Sequence, residues 1–160
     1  MITWYIKNYD DLSKEGLYSI LRFRIGIFMI EQQSIYEDLD GLDQHAMHFL
    51  GMDNNKLVAY GRMHINPDNH FATIRRICVH KDYRDQKLGN RLMEKIMAHI
   101  DTIPDLPGAE LDAQEHLQRF YGKFGFHSEG APYNDGGVMH IRMLKNYNEK
   151  KQPMKFASLF

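Results

Sequence analysis

The sequence has few of the features that mark secreted, membrane-spanning or nucleic-acid-binding proteins. Its 160 residues include one cysteine, Cys78, so no disulfide can form within the chain. No apolar run is long enough to cross a bilayer, and the first residues do not have the pattern of a signal peptide. The net charge is −1 with neutral histidines, which argues against extensive nucleic-acid binding. We therefore expect a cytoplasmic protein without nucleic-acid or membrane partners.

Common nucleotide and metal motifs are also missing. Neither G-x-x-x-x-G-K-[ST] nor G-x-G-x-x-G occurs in the sequence. His45 and His48 are not accompanied by further ligands at zinc spacing. The segment Asp38-Leu39-Asp40-Gly41 lacks the bidentate glutamate of a calcium loop. We expect no metal site.

The remaining composition predicts one folded domain. Hydrophobic residues make up 43% of the chain, which is enough for a substantial core. We assign residues 1–146 to a single domain and residues 147–160 to a polar, lysine-rich tail. The tail ends in apolar residues and could instead serve as a docking peptide.

Hydrophobic periodicity predicts an α/β fold with one mixed sheet flanked by helices. An opening strand contains Trp4 and Ile6, and Ser13 can cap the helix that follows. An acidic segment without periodicity, residues 31–44, is predicted to be a loop. The other predicted elements are strands over residues 48–52, 57–65, 71–79, 109–113, 126–129 and 138–145, and helices over residues 88–103 and 117–124. The crossover through the long helix should join parallel strands.

The turn between Val79 and Leu88 is the most informative local feature. It carries Arg84 and Lys87 between a β-branched strand and an amphipathic helix. A helix start exposes unpaired N–H groups and a partial positive charge, which suit a phosphate. A solvated basic turn that opens an ordinary helix is the alternative interpretation.

Four further segments accompany this turn. They are Phe28-Met29-Ile30-Glu31-Gln32, Tyr36-Glu37-Asp38-Leu39-Asp40-Gly41, Ala113-Gln114-Glu115-His116-Leu117-Gln118-Arg119-Phe120-Tyr121 and His140-Ile141-Arg142-Met143. With them, the chain from about residue 2 to residue 145 resembles the GNAT superfamily of acetyl-CoA-dependent N-acetyltransferases, and within it the ElaA-like branch. The resemblance implies the GNAT fold, with a central, mostly antiparallel mixed sheet.

Two positions depart from the superfamily pattern. The turn motif R/Q-x-x-G-x-G/A reads Arg84-Asp85-Gln86-Lys87-Leu88-Gly89, so Lys87 replaces the first glycine. A lysine keeps a backbone amide and adds an ammonium group, but it loses the freedom of glycine at positive φ. Gln114 stands where the superfamily usually has asparagine.

The resemblance implies a site for acetyl-CoA. Backbone amides of the turn would hold the pyrophosphate, the strand end at Cys78 and Val79 would supply the donor for the thioester oxygen, and Tyr121 would protonate the departing thiolate. The implied cofactor-binding residues are Ile77, Cys78, Val79, Arg84, Asp85, Gln86, Lys87, Leu88, Gly89, Asn90, Arg91, Gln114 and Tyr121. The alternatives are packing roles for Ile77, Val79 and Tyr121, and for Cys78 an inert apolar role rather than a covalent one.

The acceptor amine must lose a proton, because an alkyl ammonium with a pKa of about 10.4 is almost fully charged at neutral pH. Glu31 and His116 are the first candidates for the base, ahead of His48 and His140. Glu31, His48 and His140 are also candidates for acceptor binding. The acidic loop could attract a cationic acceptor or be merely solvated.

We expect an N-acetyltransferase that acts on a primary amine of a small molecule or peptide through a ternary complex. A non-enzymatic acyl-CoA-binding or protein-interaction module on the same fold is the alternative. Dimerisation through the closing strands is left open.

Overall fold

A computed structural model describes residues 1–147, and the predicted tail lies outside the described residues except for Tyr147. The strands are β1 (Ile2–Asn8), β2 (Met47–Asp53), β3 (Lys56–Ile65), β4 (Ala72–Val79), β5 (Gly108–Gln114), β6 (His127–Asp135) and β7 (Val138–Asn146). The helices are α1 (Lys14–Ile25), α2 (Leu88–Ile100) and α3 (Gln118–Gly122). A π-helical segment, Gly26–Glu31, continues α1. Short 3-10 turns cover Tyr9–Asp11, Asp43–His45, Lys81–Gln86 and Glu115–Leu117.

The seven strands form one mixed sheet in the order β1-β2-β3-β4-β5-β7-β6. Only β4 and β5 are parallel; every other neighbouring pair is antiparallel. The parallel pair is joined through α2, as the crossover rule requires. The predicted fold, a mostly antiparallel mixed sheet flanked by helices, is confirmed.

Helices cover both faces of the sheet. On one face, α2 and α3 pack through residues such as Leu92, Ile96 and Tyr121 against β-strand side chains that include Ile74 and Ile141. On the other face, α1 packs through Ile20 against Leu50, Tyr60 and Cys78. Strand side chains alternate between the two faces. Consequently the even-numbered residues of β5 and β7 lie on the α1 side, beyond the area that α1 covers.

Local sequence signals explain several element boundaries. Ser13 Oγ accepts a hydrogen bond from the Gly16 amide at 2.9 Å, which is the predicted N-cap of α1. Asn54 adopts φ 52° in the β2–β3 turn, and Gly136 adopts φ 61° in the β6–β7 turn. Both residue types tolerate this left-handed conformation.

Most boundaries differ from the sequence prediction by one or two residues, and two differ by more. Helix α2 ends at Ile100, and Ile103 lies in the following turn instead of the helix. Strand β6 extends to Asp135 rather than ending at residue 129, with an irregularity in its pairing to β7 between Glu129 and Tyr133. The extra length contains Pro132, which is tolerated because β6 is an edge strand.

In the described part of the chain, no helix has both the length and the apolar character that a bilayer crossing requires. Among the same residues, no three His, Cys, Asp or Glu side chains are grouped in a way that could hold a metal ion.

Candidate active site

The central feature of the site is an opening between two neighbouring strands. Strands β4 and β5 pair only where residues 72–74 face residues 109–111. Beyond that point β4 continues to Val79 and β5 continues to Gln114 without pairing with each other, although β4 stays paired with β3 and β5 with β7. One edge of each strand therefore has backbone N–H and C=O groups without a strand partner.

A bulge in β4 separates the strands. In the pairing of β3 with β4, Tyr60 faces Cys78 and Arg62 faces Arg75, so two steps along β3 match three along β4. The extra residue distorts the ladder and bends the strand. Arg76 lies in the bulge with φ 61°, a conformation that costs roughly 1–2 kcal/mol for a residue with a Cβ.

Contacts of the Arg76 side chain offset this cost. Its guanidinium donates to the Asp38 carbonyl at 3.1 Å and to Asp40 Oδ2 at 3.3 Å. It also lies over the Tyr36 ring, 5.2 Å from the ring centroid. The loop between α1 and β2 thereby holds the bulge in place.

The opening between the strands contains a cavity of about 110 Å³. The cavity is lined by the segment after α1, by β4, by β5 with the turn that follows it, by α3 and by the β6–β7 hairpin. The lining residues, in that order, are Phe28, Gln32, Ser34 and Tyr36; residues 74–77; Leu111, Asp112, Gln114 and Leu117; Tyr121; and Asp135, Val138 and His140. The cavity therefore connects the two faces of the sheet.

Tyr121 reaches this cavity from the α3 side. Its side chain is 6% exposed, and burial raises the pKa of its hydroxyl. Within residues 1–147 the hydroxyl has no hydrogen-bond partner, although the ring packs edge-on against Phe120. A buried phenol with an elevated pKa keeps its proton and can donate it to a strong acceptor placed in the cavity.

The predicted phosphate turn follows β4 directly. Its last residue, Lys87, adopts φ 56° and ψ 29°, the left-handed conformation that glycine would accept without strain. Helix α2 then begins at Leu88 without a side-chain cap on its first N–H groups. These free amide groups can bind an anion.

The side chains of Arg84 and Glu31 form a bidentate salt bridge beside this turn. The guanidinium donates to Oε1 at 2.5 Å and to Oε2 at 2.9 Å, and Arg84 Nε donates to the Val79 carbonyl at 3.1 Å. The hydrogen bonds from Arg84 lower the pKa of Glu31. Glu31 is thus held as a carboxylate with both oxygens occupied, which weakens it as a proton acceptor.

The other candidates are placed as follows. His48 is fully buried; its Nδ1 is 2.7 Å from the Tyr60 hydroxyl, and its Nε2 is 2.9 Å from the Asp43 carbonyl. Both ring nitrogens of His48 are thus occupied away from the cavity, which argues against a role in acceptor binding. His116 is exposed in the turn after β5 and does not line the cavity. Gln114 and His140 do line it.

Cys78 lies in β4 with its thiol buried beside Tyr60. Burial raises the pKa of the thiol, which disfavours the thiolate needed for a nucleophile. Ile77, on the opposite face, packs against the α2 core. These side chains belong to the core, while the backbone beside them borders the opening.

Sequence reasoning missed a buried ion network behind the acidic loop. Arg24, Arg62 and Arg76 form ion pairs with Asp38, Asp40 and Asp43. These three carboxylates are neutralised by arginines, which weakens the interpretation that the loop attracts a cationic acceptor. The available signal was an arginine at an apolar helical position, Arg24, beside a loop rich in aspartate.

The network also shapes the cavity wall. Arg24 and Arg62 are fully buried, and both donate to Asp43 Oδ1 at 2.6 Å. Tyr36 donates from its hydroxyl to Asp38 Oδ1 at 2.9 Å. Because Tyr36 lines the cavity, the buried charges fix one wall of the site.

Comparisons with known proteins agree with this geometry. The family model for the acetyltransferase (GNAT) domain matches residues 10–147. Protein ElaA of Escherichia coli K12 is 37% identical over 149 residues, which cover 91% of this chain and 97% of that protein. The crystal structure of E. coli ElaA superposes with a TM-score of 0.85, covering 91% of this chain and 100% of that one.

Two further solved structures have the same fold. An acyl-CoA N-acyltransferase from Pseudomonas aeruginosa is 31% identical and has a TM-score of 0.84, with 91% of this chain and 99% of that chain covered. A GNAT family acetyltransferase from Elizabethkingia anophelis, crystallised with acetyl-CoA bound, has a TM-score of 0.60 at 14% identity, covering 91% and 97% of the two chains. The latter is similar in fold alone.

Proposed function

Because this chain belongs to the GNAT acetyltransferase family, we propose that it transfers an acetyl group from acetyl-CoA to a primary amine by direct attack in a ternary complex. Acyltransferase activity is what the family implies. The acetyl donor, the amine acceptor and the order of events are our proposal. The observation that carries it is the open gap between β4 and β5, which has the phosphate turn at one end and the Tyr121 side chain in its wall.

The residues present fit acetyl-CoA as a substrate. The uncapped first turn of α2 offers amide donors to the pyrophosphate, and Lys87 and Arg91 can add charge. The unpaired edge of β4 over residues 77–79 offers backbone groups to the pantetheine arm, in the manner of an added strand. In the Elizabethkingia relative, the same fold holds acetyl-CoA.

The ion pair between Arg84 and Glu31 affects how the turn can bind the pyrophosphate of acetyl-CoA. Arg84 is proposed as a pyrophosphate contact, but its two terminal nitrogens are bonded to Glu31. The uncapped amides in the first turn of α2 do not depend on that pair. We propose that these amides bind the phosphates and that the Arg84 guanidinium adds charge at the edge of the site.

We propose that two groups of the chain act as donors during the reaction. The amide at Val79 donates to the thioester oxygen, which gains charge as the amine attacks. Tyr121 donates its proton to the departing CoA thiolate. The raised pKa of this buried phenol makes the tyrosinate short-lived, so proton return must follow promptly.

Isothermal titration with acetyl-CoA and CoA, followed by thiol-release assays, tests the proposal. The acceptor panel contains n-butylamine, 1,4-diaminobutane, spermidine, a lysine-containing peptide and a peptide with a free amino terminus. Binding and amine-dependent thiol release support the function. Binding of both nucleotides without turnover of any amine favours the acyl-CoA-binding module, and the absence of binding at millimolar concentration overturns both.

Tyr121→Phe removes one hydroxyl and keeps the packing of the ring. We expect kcat to fall by roughly 10²–10⁴-fold, the usual range for a lost general acid, with the Kd of acetyl-CoA unchanged. Tyr5→Phe, at a strand tyrosine that is 45% exposed, is the matched control. An unaltered kcat for Tyr121→Phe at several pH values would remove Tyr121 from the mechanism.

A further inference from the structure

We propose that His140 is the base that accepts the proton of the acceptor amine. This inference rests on the proposed transferase function and adds a residue to that site. The sequence favoured Glu31 and His116 for this role. The structure directs attention to His140 because it is the histidine that lines the cavity in the described part of the chain.

A hydrogen bond sets the tautomer of the His140 ring. Nδ1 lies 2.8 Å from the Val138 carbonyl oxygen. A carbonyl oxygen can only accept, so Nδ1 must carry the hydrogen. In the neutral ring, Nε2 then holds the free lone pair. Among residues 1–147 the hydrogen bond of the His140 ring is made by Nδ1, which leaves Nε2 able to accept a proton from a ligand.

Neighbouring side chains fix the orientation of the ring. Tyr133 faces His140 across the β6–β7 ladder, and the two rings stack with centroids 6.0 Å apart and an interplanar angle of 28°. Burial and the nearby Asp112 carboxylate raise the pKa of the Tyr133 hydroxyl, and Asp112 pairs with Arg75 at 2.9 Å. This row of side chains runs from Arg75 on β4 through Asp112 on β5 to Tyr133 on β6 and His140 on β7. It makes Tyr133 a positioning residue for His140.

His140 and Tyr121 approach the cavity from opposite faces of the sheet. Tyr121 belongs to the α2–α3 core, whereas His140 shares the α1 face with Asp112 and Gln114. The amine attacks perpendicular to the plane of the thioester, whereas the sulfur lies in that plane, so the base and the acid must act at different positions around the carbonyl carbon. Groups from the two faces of the sheet can supply these two positions.

Other titratable and charged groups near His140 include Asp112, Arg75, Asp135 and Tyr36. Asp112 and Arg75 pair with each other. Asp135 lies at the exposed hairpin tip. The Tyr36 hydroxyl donates to Asp38.

Each proton that moves in the proposed reaction has a donor and an acceptor. His140 Nε2 takes one proton from the ammonium group and releases it to solvent. The neutral amine forms the C–N bond, the C–S bond breaks, and Tyr121 gives its proton to the thiolate. The surplus proton on the new amide nitrogen passes through water to the Tyr121 oxygen. The products are the N-acetyl amide, CoA thiol and one proton in solution.

His140→Asn tests the assignment with little structural change. The asparagine amide nitrogen can replace Nδ1 as the donor to the Val138 carbonyl, but nothing replaces Nε2. We expect kcat/KM at pH 7 to fall by roughly 10²–10⁴-fold, with the Kd of acetyl-CoA unchanged. The deficit should shrink as pH rises, because the amine then loses its proton without help. His127→Asn, on the exposed strand β6, is the control and should match the wild type.

Nitrogen NMR of the histidine rings adds a readout independent of turnover. The resonances lost in His140→Asn should report a protonated Nδ1 and an unprotonated Nε2 in the neutral ring. Tyr133→Phe should keep this tautomer while lowering kcat/KM less than His140→Asn does.

The outcomes separate the two proposals. A pH-independent deficit in His140→Asn, an unaltered kcat/KM or a protonated Nε2 in the neutral ring would overturn the role of His140 and leave the transferase function standing. If the wild-type protein releases no thiol with any amine of the panel, both the transferase function and the role of His140 are overturned.

Discussion

Replacing Asp43 with asparagine tests whether the buried ion network holds the cavity wall. The Asp43 side chain is 7% exposed, and its carboxylate accepts hydrogen bonds from Arg24 and Arg62, both fully buried. The network contains three arginines and three aspartates, so its formal charge is zero. The substitution leaves one uncompensated positive charge inside the protein.

The expected loss of stability is about 3–5 kcal/mol, the usual cost of removing one partner of a buried ion pair. This is a large part of the roughly 5–15 kcal/mol by which a domain is stable. Since the pairs are buried, added salt should screen them little. The loss should therefore be similar in about 0.1 M and 1 M sodium chloride.

Urea unfolding at pH 7 measures this difference, with Asp10→Asn as the control at an exposed aspartate. The urea concentration at the unfolding midpoint should fall, while the slope of the unfolding free energy against urea concentration should stay unchanged. A loss below about 1 kcal/mol, or one that disappears in high salt, would refute the reasoning, because either result is what a surface pair gives.

Two further predictions concern pH and backbone strain. Burial alone would raise the pKa of Glu110, but bonds from Asn66, Arg142, Thr73 and Asn69 hold it at about 2 instead of 4.5. A lowered pKa in the folded state means stability that is complete above about pH 4.5 and is lost as pH falls towards 2. The shift corresponds to about 3 kcal/mol. Acid unfolding of Glu110→Gln should show a smaller loss across this range; an identical pH dependence would contradict the assignment. Lys87→Gly should raise stability by about 1–2 kcal/mol, because glycine accepts φ 56° without strain. Lys87→Ala keeps the strained conformation and should not gain stability, whereas both variants should weaken CoA binding at low salt. Equal melting temperatures for the two variants would show that the backbone conformation costs nothing.

Much of the fold follows from patterns in the sequence. Alternating apolar residues indicate most of the strands, and spacing of three and four residues indicates α1 and α2. Ser13, Asn54 and Gly136 act through their own side chains or backbone freedom, so their effects can be read locally. The turn before α2 is predicted on the same grounds, and its left-handed residue falls at Lys87.

Other features depend on residues far apart in the chain. Arg76 has no local preference for its positive φ, and its conformation is held by Asp38 and Asp40 across the sheet. Strand β6 continues past Gly130 and Pro132 because its pairing with β7 resumes at Tyr133. Local propensity alone would end the strand earlier.

The candidate site shows the same division. The sequence by itself determined the family pattern, the turn before α2 and the position of Tyr121 on a helix face. Only the tertiary structure decided which titratable groups remain available: Arg84 occupies Glu31, the core encloses His48, and His140 faces the cavity. The physical reason is that a side chain's proton affinity and access depend on its neighbours in space, and these are set by strand pairing and packing rather than by the order of residues.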